Sequence, residues 1–219
     1  MNEPGAAACV VLAAGRSSRM EEVFKPLLLH EGVPLVGCVV AAARRAGLGP
    51  VIVVAGHRAA ELRTALSGFP ARVVENRDYA SGVASSLAAG IAAAAEEPGV
   101  EAVAVLLGDE PGIRAEAISA AVRVWRETGA EAVRTVYADR PGHPVLFARA
   151  AFPALETLSG DRGARAVLDL GCLDVKESRL PFSAPIDVDT ADDYRAMAAG
   201  EPGTAPSPGT GDDGAGREG

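Results

Sequence analysis

Short, unbroken apolar runs alternate along the chain with longer segments in which apolar residues recur every three or four positions. Unbroken runs rich in Val, Leu, Ile and Ala are typical of strands covered on both faces, whereas the longer spacing is typical of amphipathic helices. The predicted strands lie at residues 8–12, 51–55, 71–75, 103–107 and 132–137, and the predicted helices at 34–45, 59–66, 85–95 and 115–127. This alternation predicts an α/β fold with a doubly wound, mostly parallel sheet, whose ligands bind at the carboxyl ends of the strands.

The rhythm of the chain changes after residue 137. Residues 139–142, Asp-Arg-Pro-Gly, predict a turn between two extended segments, so residues 144–147 are a candidate antiparallel strand. Short helices at 148–158 and 162–170, a strand near 173–175 and a closing element at 186–194 complete the pattern. No internal repeat or linker interrupts residues 1–199, which predicts one domain. Residues 200–219 are rich in Gly, Pro and Asp and predict a disordered tail.

Composition narrows the class of protein. The 219 residues are enough for one sizeable α/β domain with a well-buried core. Hydrophobic residues make up 48% of the chain and aromatic residues only 4%, so the core is expected to consist of Ala, Val and Leu. The formal net charge of −8 disfavours nucleic acid as a partner. An anionic ligand must therefore be bound by a local cluster of cations.

The cysteines and the apolar runs indicate the cellular compartment in which the protein is expected. Cys9, Cys38 and Cys172 are far apart, odd in number and free of any C-x-x-C pattern. This favours reduced, buried thiols over disulfides or a zinc site. The N-terminus lacks the basic region of a signal peptide, and no apolar run is long enough to span a bilayer. The chain is therefore predicted to be cytoplasmic and without a membrane partner.

The most informative stretch is C-V-V-L-A-A-G-R-S-S-R-M-E-E-V-F-K-P-L-L, which begins at Cys9. Small residues directly after a strand let backbone N–H groups approach a ligand closely, and nearby cations suit a polyphosphate. The stretch contains neither G-x-x-x-x-G-K-[ST] nor the G-x-G-x-x-G of a nicotinamide dehydrogenase. The alternative is an ordinary strand-to-helix turn with solvated arginines.

Two further segments carry carboxylates. Asp109 ends a buried apolar run in a Gly-Asp-x-Pro turn, where its oxygen atoms could hold a hard cation, or where it could simply cap the turn. In the segment D-V-D-T-A-D-D-Y, alternation places Asp187 and Asp189 on the same face of an extended chain. Thr190 and the acidic residues after it are adequately explained as a helix N-terminus.

Three polar stretches remain open to both a binding and a structural interpretation. In E-N-R-D-Y-A-S-G-V-A-S-S-L, Ser85 and Ser86 at a predicted helix N-terminus could bind an anion or a ribose, or could only cap the helix. The stretches R-P-G-H-P-V-L-F and S-G-D-R-G-A-R by themselves indicate surface loops. His30 and His57 are expected to be structural.

Written as L-A-A-G-x-S-x-R-M…K, the first stretch resembles the opening signature of the MobA-like nucleotidyltransferases, and most closely the molybdenum cofactor cytidylyltransferases. The carboxylate segments resemble the L-G-D-x-P and D-[IV]-D-T-x-x-D elements of that family, and these segments and the three polar stretches occur along the chain in the order expected for it. Glu21 replaces the usual glycine after Arg-Met, and Arg77 replaces a proline. The resemblance implies a Rossmann-like fold of the nucleotide-diphospho-sugar transferase type.

The resemblance also implies roles for individual residues. The catalytic residues would be Arg19, Lys25 and Asp109, and the ligands of Mg²⁺ would be Asp109 and Asp189. The nucleotide-binding residues would be Leu12, Ala13, Ala14, Gly15, Arg16, Ser17, Ser18, Arg19, Lys25, Asn76, Gly82, Ser85, Ser86 and Asp109. The residues that bind the second substrate would be Arg140, Gly142, His143, Pro144, Asp161 and Arg165.

The reaction implied is transfer of CMP from CTP to molybdopterin or the molybdenum cofactor, with release of pyrophosphate. The receiving partners would be molybdenum hydroxylase apo-enzymes or their chaperones. Ala14 favours cytosine, because guanylyl-transferring relatives tend to carry L-A-G-G. The alternatives are guanylyl transfer to molybdopterin, a nucleotidyltransferase acting on a sugar phosphate, sugar alcohol phosphate or isoprenoid precursor, and a non-catalytic nucleotide-binding or cofactor-chaperone protein.

Overall fold

The computed structural model describes residues 6–15, 24–169, 171–186, 188 and 190–198. The strands are β1 (Ala6–Ala13), β2 (Leu29–His30), β3 (Val33–Pro34), β4 (Val51–Ala55), β5 (Arg72–Glu75), β6 (Val100–Leu107), β7 (Ala132–Val136), β8 (Pro141–Ala148) and β9 (Val175–Arg179). The helices are α1 (Leu35–Arg45), α2 (Ala59–Ala65), α3 (Val83–Ala95), α4 (Ala115–Thr128), α5 (Phe152–Glu156), α6 (Ala164–Leu168) and α7 (Ala191–Ala198). Short 3₁₀ turns lie at Lys25–Leu27, Tyr79–Ser81 and Arg149–Ala151.

Seven strands form one twisted sheet in the order β5-β4-β1-β6-β8-β7-β9. Every neighbouring pair in it is parallel except the two pairs that include β8. The prediction of a mostly parallel α/β sheet with one antiparallel strand is confirmed. Leu12 of β1 lies opposite Leu107 of β6, and Ala13 lies opposite Ala55 of β4, so these three strands end level with one another. Because β8 runs the other way, its first residues reach the same edge.

Helices cover both faces of the sheet, and successive side chains of β1 pack alternately into the two cores. Cys9 and Val11 pack with the helices α1, α2 and α4, whereas Val10 and Leu12 pack with α3, α5 and α6. The approach of α3 is especially close, because a Cβ at Gly90 would lie 2.4 Å from a methyl group of Val10. The two cores together cover both faces of the strands that end at this edge.

Some predicted elements differ from the observed ones. The strand expected at residues 173–175 is β9, at Val175–Arg179, where only Val175 and Ser178 are shielded from solvent. An edge strand with so few buried positions has no apolar pattern to read. The helices expected at 148–158 and 162–170 are reduced to α5 and α6 with a 3₁₀ turn before the first. The β2–β3 hairpin was not predicted.

The thiols are only partly buried. Cys9 is buried, Cys38 is half-buried and Cys172 is exposed, so the prediction of buried thiols is wrong for Cys172. Burial raises the pKa of Cys9 and of Cys38. In the part of the chain that the structure describes, no helix has the length and apolar character needed to cross a membrane. The tail at residues 200–219 lies outside the described residues, so its disorder and the domain limits stay predictions.

Candidate active site

The small-residue turn that follows β1 is tied to both neighbouring strands. The Gly108 N–H at the end of β6 donates to the Leu12 carbonyl over 2.9 Å, and the His57 N–H beyond β4 donates to the Ala14 carbonyl over 3.1 Å. Ala14 is only 4% exposed, whereas Gly15 lies in the open with no heavy atom within 4 Å of a hypothetical Cβ. The turn is therefore held in place and ends on an accessible backbone position.

Two glycines allow the neighbouring loops to approach this turn. A Cβ at Gly56 would lie 2.8 Å from the Ala14 carbonyl oxygen and 2.5 Å from Cβ of Tyr79. A Cβ at Gly108 would lie 3.0 Å from Cβ of Ala13. Side chains at either glycine would push the loops after β4 and β6 away from the turn.

Lys25 reaches the same region from a separate segment. It is 5% exposed and begins a 3₁₀ turn that packs against α1 and α2. The preceding Phe24 places its ring 5.9 Å from that of His57, edge to face, and the His57 N–H in turn binds Ala14. This chain of contacts brings the segment that carries Lys25 close to the turn, so its side chain is a candidate to offset phosphate charge there.

Asp109 follows β6 at the same sheet edge and is half-buried. Its carbonyl oxygen accepts the N–H of the fully buried Val188 over 3.3 Å. Val188 therefore lies against the Asp109 loop, whereas Asp187 and Asp189 fall outside the described residues. Carboxylate oxygen is the donor that Mg²⁺ and Mn²⁺ prefer, so the chemistry of this position fits a divalent cation. Within the described ranges, no three His, Cys, Asp or Glu side chains cluster as a metal site would require.

Asn76 fixes the loop between β5 and α3. Its N–H donates to the Ala55 carbonyl over 2.7 Å, and its side-chain carbonyl accepts the Asp78 N–H over 2.9 Å. Its side-chain amide donates to Ser85 Oγ over 2.9 Å and to Ser86 Oγ over 3.0 Å. The structure thus brings the predicted Asn76, Ser85 and Ser86 together around one buried amide that positions the loop. Their contact with a nucleotide stays a prediction.

Gly82 joins that loop to a segment of the chain much further on. It has φ +116°, and a Cβ there would lie 2.2 Å from the Gly160 carbonyl oxygen. The same oxygen accepts the Ala84 N–H in the first turn of α3 over 3.1 Å. The S-G-D-R-G-A-R loop, with exposed Asp161, therefore lies on the start of α3.

A buried acid–imidazole pair lies next to Asp109. Glu110 is 2% exposed, and its Oε1 lies within hydrogen-bond distance, 2.9 Å, of Nδ1 of His143, which is 7% exposed. The Tyr137 hydroxyl donates to the His143 carbonyl. Burial, and then the negative charge of Glu110, raise the pKa of Tyr137. Glu110 was not predicted from the sequence, because its partner lies 33 positions away.

An open cavity of about 330 Å³ lies beside His143, at the start of β8. Its lining is rich in guanidinium groups and consists of Arg134, Arg140, Pro141, Gly142, Val145, Arg165 and Asp169. Arg140 donates to the Pro185 carbonyl over 2.7 Å, and Nη2 of Arg165 lies 3.5 Å from Nδ1 of His143. The structure thus brings three predicted substrate residues, Arg140, Gly142 and Arg165, to one cavity. Asp161 lies elsewhere, on the loop that covers α3.

Several predicted residues cannot be placed. Arg16, Ser17, Ser18, Arg19 and Asp189 lie outside the described residues. Their roles stay predictions.

The chain is similar in sequence to a family of known domains and to several known proteins. Residues 9–178 match the family model of the MobA-like NTP transferase domain. The chain is 32% identical over 165 residues to nicotine blue oxidoreductase of Paenarthrobacter nicotinovorans, a match that covers 73% of this chain and 79% of that protein. It is 35% identical over 145 residues to bifunctional protein GlmU of Geobacter sulfurreducens, covering 65% of this chain but 29% of GlmU. The chain thus spans less than a third of that relative.

Solved structures agree over nearly the whole chain. Rv0371c from Mycobacterium tuberculosis H37Rv superposes with a TM-score of 0.78 at 31% identity, covering 90% of this chain and 100% of that one. A manganese complex of Rv0371c superposes with a TM-score of 0.73, at the same identity and coverage. A divalent cation therefore accompanies this fold in a similar protein.

Proposed function

We propose a specific reaction for this chain, which belongs to the MobA-like NTP transferase family and is an enzyme of the nucleotidyltransferase type. The reaction is transfer of CMP from CTP to molybdopterin or the molybdenum cofactor. The observation that carries this proposal is the convergence at one sheet edge. The small-residue turn and Asp109 follow β1 and β6 at this edge, and the buried Glu110–His143 contact joins the residue after Asp109 to the start of β8, where the arginine-lined cavity lies. This arrangement supports a triphosphate at the turn and an anionic acceptor near the arginine-lined cavity.

The proposed reaction is a single in-line displacement. An oxygen of the acceptor's phosphate forms a bond to the α-phosphorus of CTP while the bond from that phosphorus to the β-phosphate oxygen breaks. The electron pair leaves with pyrophosphate, and no covalent bond to the enzyme forms. Backbone N–H groups at residues 13–15 and the ammonium group of Lys25 bind the phosphates, assisted by Arg19.

Asp109 and Asp189 would hold the divalent cation, which is Mg²⁺ in this proposal. When bound, it supplies positive charge beside the α-phosphate and the departing pyrophosphate. The protein's own contribution is positioning, since in-line transfer is sensitive to displacements of about 1 Å. The Glu110–His143 hydrogen bond joins the loop of Asp109 to the start of β8, and so fixes the nucleotide side relative to the acceptor cavity.

Choice of the base rests on Ala14. Its carbonyl is bound by His57, and its side chain is buried among the residues that α3 covers. In this proposal Ala14, where guanylyl-transferring relatives tend to carry glycine, favours cytosine over the larger guanine.

The test is pyrophosphate release measured with CTP, GTP, ATP and UTP in turn, each with and without molybdopterin. We expect release with CTP only, dependent on both molybdopterin and a divalent cation, and abolished by EDTA. Preference for GTP would assign guanylyl transfer instead. Release that depends on a sugar phosphate would assign a sugar nucleotidyltransferase. Retained CTP binding without turnover on any acceptor would indicate a non-catalytic nucleotide-binding protein.

A further inference from the structure

We infer that the loop after β4 fixes the place of Lys25 in the triphosphate site, and that Phe24 and His57 are the positioning residues through which it does so. The inference rests on the proposed nucleotidyl transfer, in which Lys25 binds the phosphates of the nucleotide. The family resemblance assigns no role to Phe24 or His57, and the sequence by itself indicates only a structural role for His57. The observation that carries the inference is that His57 contacts two segments at once. Its backbone binds the turn after β1, and its ring packs against the residue before Lys25.

Lys25 must be positioned by contacts outside its own segment. It lies ten positions beyond Gly15 and begins a 3₁₀ turn of three residues. Two backbone hydrogen bonds, of 3.0 and 2.9 Å, close this turn within residues 24–28. They set the shape of the turn but not its distance from the small residues after β1. That distance depends on how Phe24, the residue before Lys25, is packed.

Two side chains of the loop after β4 contact Phe24. Phe24 is 3% exposed, and its ring centre lies 5.9 Å from that of His57 at an angle of 77° between the rings. This is the edge-to-face arrangement that aromatic pairs favour. The guanidinium carbon of Arg58 lies over the same ring, 5.9 Å from its centre, within the range of a cation–π contact. Because Phe24 and Lys25 are consecutive, these contacts fix the backbone from which the Lys25 side chain extends.

The loop after β4 is itself fixed against the turn after β1. The His57 N–H donates to the Ala14 carbonyl over 3.1 Å, and a Cβ at Gly56 would lie 2.8 Å from the same oxygen. Arg58 has φ +55°, a left-handed conformation that is uncommon for a residue with a side chain. Its guanidinium group forms a bidentate ion pair with Glu61 in the first turn of α2. The loop is thus held on one side by the turn after β1 and on the other by α2.

A fixed position of Lys25 favours nucleotide binding. When the segment of Lys25 is held by the loop after β4, binding of a triphosphate need not order that segment, and affinity rises accordingly. Loss of the His57 ring should therefore weaken nucleotide binding through Lys25. The hydrogen bond to Ala14 would remain, because the main chain of residue 57 makes it. A substitution of the His57 side chain thus separates the two contacts of this residue.

The test is a double-mutant cycle between His57 and Lys25, measured by calorimetric titration of α,β-methylene-CTP with Mg²⁺ into the full chain. His57→Ala should weaken binding by about three- to tenfold, as expected for loss of an aromatic pair. In the Lys25→Ala background the same change should leave the affinity unaltered, because the ring acts through Lys25. His57→Phe, which keeps an aromatic ring, should retain most of the affinity. The matched control is His30→Ala, which removes a half-buried imidazole from β2 and should change the affinity in neither background.

Equal weakening by His57→Ala in both backgrounds would show that His57 acts independently of Lys25, and would refute the inference. An unchanged affinity with a lowered unfolding midpoint in urea would also refute it, since His57 would then be structural only. The inference fails as well if Lys25→Ala binds the nucleotide as tightly as the wild type. Should His57→Ala not fold, Phe24→Leu removes the other ring of the pair and is carried through the same cycle with the same expectation.

The proposed function is measured separately, as CMP transfer to molybdopterin. If the effects of His57→Ala and Lys25→Ala are non-additive but no transfer occurs, the proposed function alone is rejected. If transfer occurs but the two effects simply add, the positioning role alone is rejected.

Discussion

At the scale of single residues, Lys25 is a buried cation in a turn that packs beside the small residues after β1. Lys25→Ala removes one charge-assisted contact to the triphosphate and should weaken CTP binding by about 1.5–3 kcal/mol. Titration of CTP into the variant measures the effect. Lys176→Ala, which removes an exposed lysine paired with Asp174, is the control. Equal CTP affinity in the two variants would remove Lys25 from the site.

Ala14 decides the base if the small-residue turn shapes the nucleobase pocket. Ala14→Gly should shift relative use of CTP and GTP towards GTP by about 1–3 kcal/mol, the range typical of a methyl-sized difference in a pocket. The measurement is the ratio of kcat/KM for the two nucleotides. Ala55→Gly, which removes a methyl group from the end of β4, should lower stability without changing the ratio. An unchanged ratio in both variants would refute the role of Ala14 in base choice and with it the sequence argument for CTP.

Asp109→Asn keeps the shape of the side chain but loses the charge that holds a divalent cation against water. We expect turnover to be abolished, nucleotide binding to persist weakly, and excess Mg²⁺ to restore activity only in part. Asp189→Asn should have a similar but milder effect. Turnover is compared with that of the wild type and of Asp174→Asn at saturating CTP and Mg²⁺. Near-normal activity in Asp109→Asn would mean that the carboxylate only caps its turn.

At the scale of elements, the contact of Gly82 with Gly160 holds two loops together at the start of α3. Gly82→Ala introduces a side chain at φ +116° and directly against a carbonyl oxygen, so it should destabilise the fold by about 1–3 kcal/mol. Urea unfolding measures the loss. Gly68→Ala is the matched control, because a Cβ there meets nothing within 4 Å. Similar unfolding midpoints would show that the loops separate freely.

The sequence predicts those elements whose pattern is set by burial. Val51–Ala55 is recovered as predicted because every residue of β4 is buried, which produces an unbroken apolar run. The edge strand β9 was displaced because Lys176, Glu177 and Arg179 are exposed and leave no periodic signal. The β2–β3 hairpin turns through Glu31 and Gly32, both at positive φ, over strands of two residues that no periodicity can reveal.

The same distinction applies to the site. Motifs that are contiguous in sequence, such as the turn at 13–15 and the Asp109 loop, could be located from the residues alone. The pairs Glu110–His143 and Arg134–Asp169 join residues 33 and 35 positions apart. They exist only because β8 and α6 pack beside β6 and β7, so a single sequence gives no sign of them.

At the scale of the whole molecule, two buried acidic groups should make the free energy of unfolding change with pH in the alkaline range. Burial raises the pKa of the Cys9 thiol and of the Tyr137 hydroxyl in the folded chain. In the unfolded chain they ionise near their ordinary pKa values of about 8.5 and 10. The unfolded state therefore binds fewer protons above about pH 8.5, and the free energy of unfolding should fall as pH rises.

Chemical unfolding at a series of pH values measures this slope. Cys9→Ala should flatten the slope between about pH 8.5 and 10, where the thiol of the unfolded chain ionises. Cys172→Ala, which removes an exposed thiol, should leave it unchanged. Equal slopes in the two variants would contradict the assignment to Cys9.

The reversed strand β8 has a consequence for how such a protein can diversify. Residues 6–107 supply one contiguous half of the sheet, β5-β4-β1-β6, and residues 132–179 supply the other, β8-β7-β9. The two halves meet along the single seam between β6 and β8. On the proposed assignment the first half binds the nucleotide and the second half binds the acceptor. A gene recombined within the segment that encodes α4 would therefore join an existing nucleotide site to a different acceptor site. Only the pairing of β6 with β8 would have to form anew.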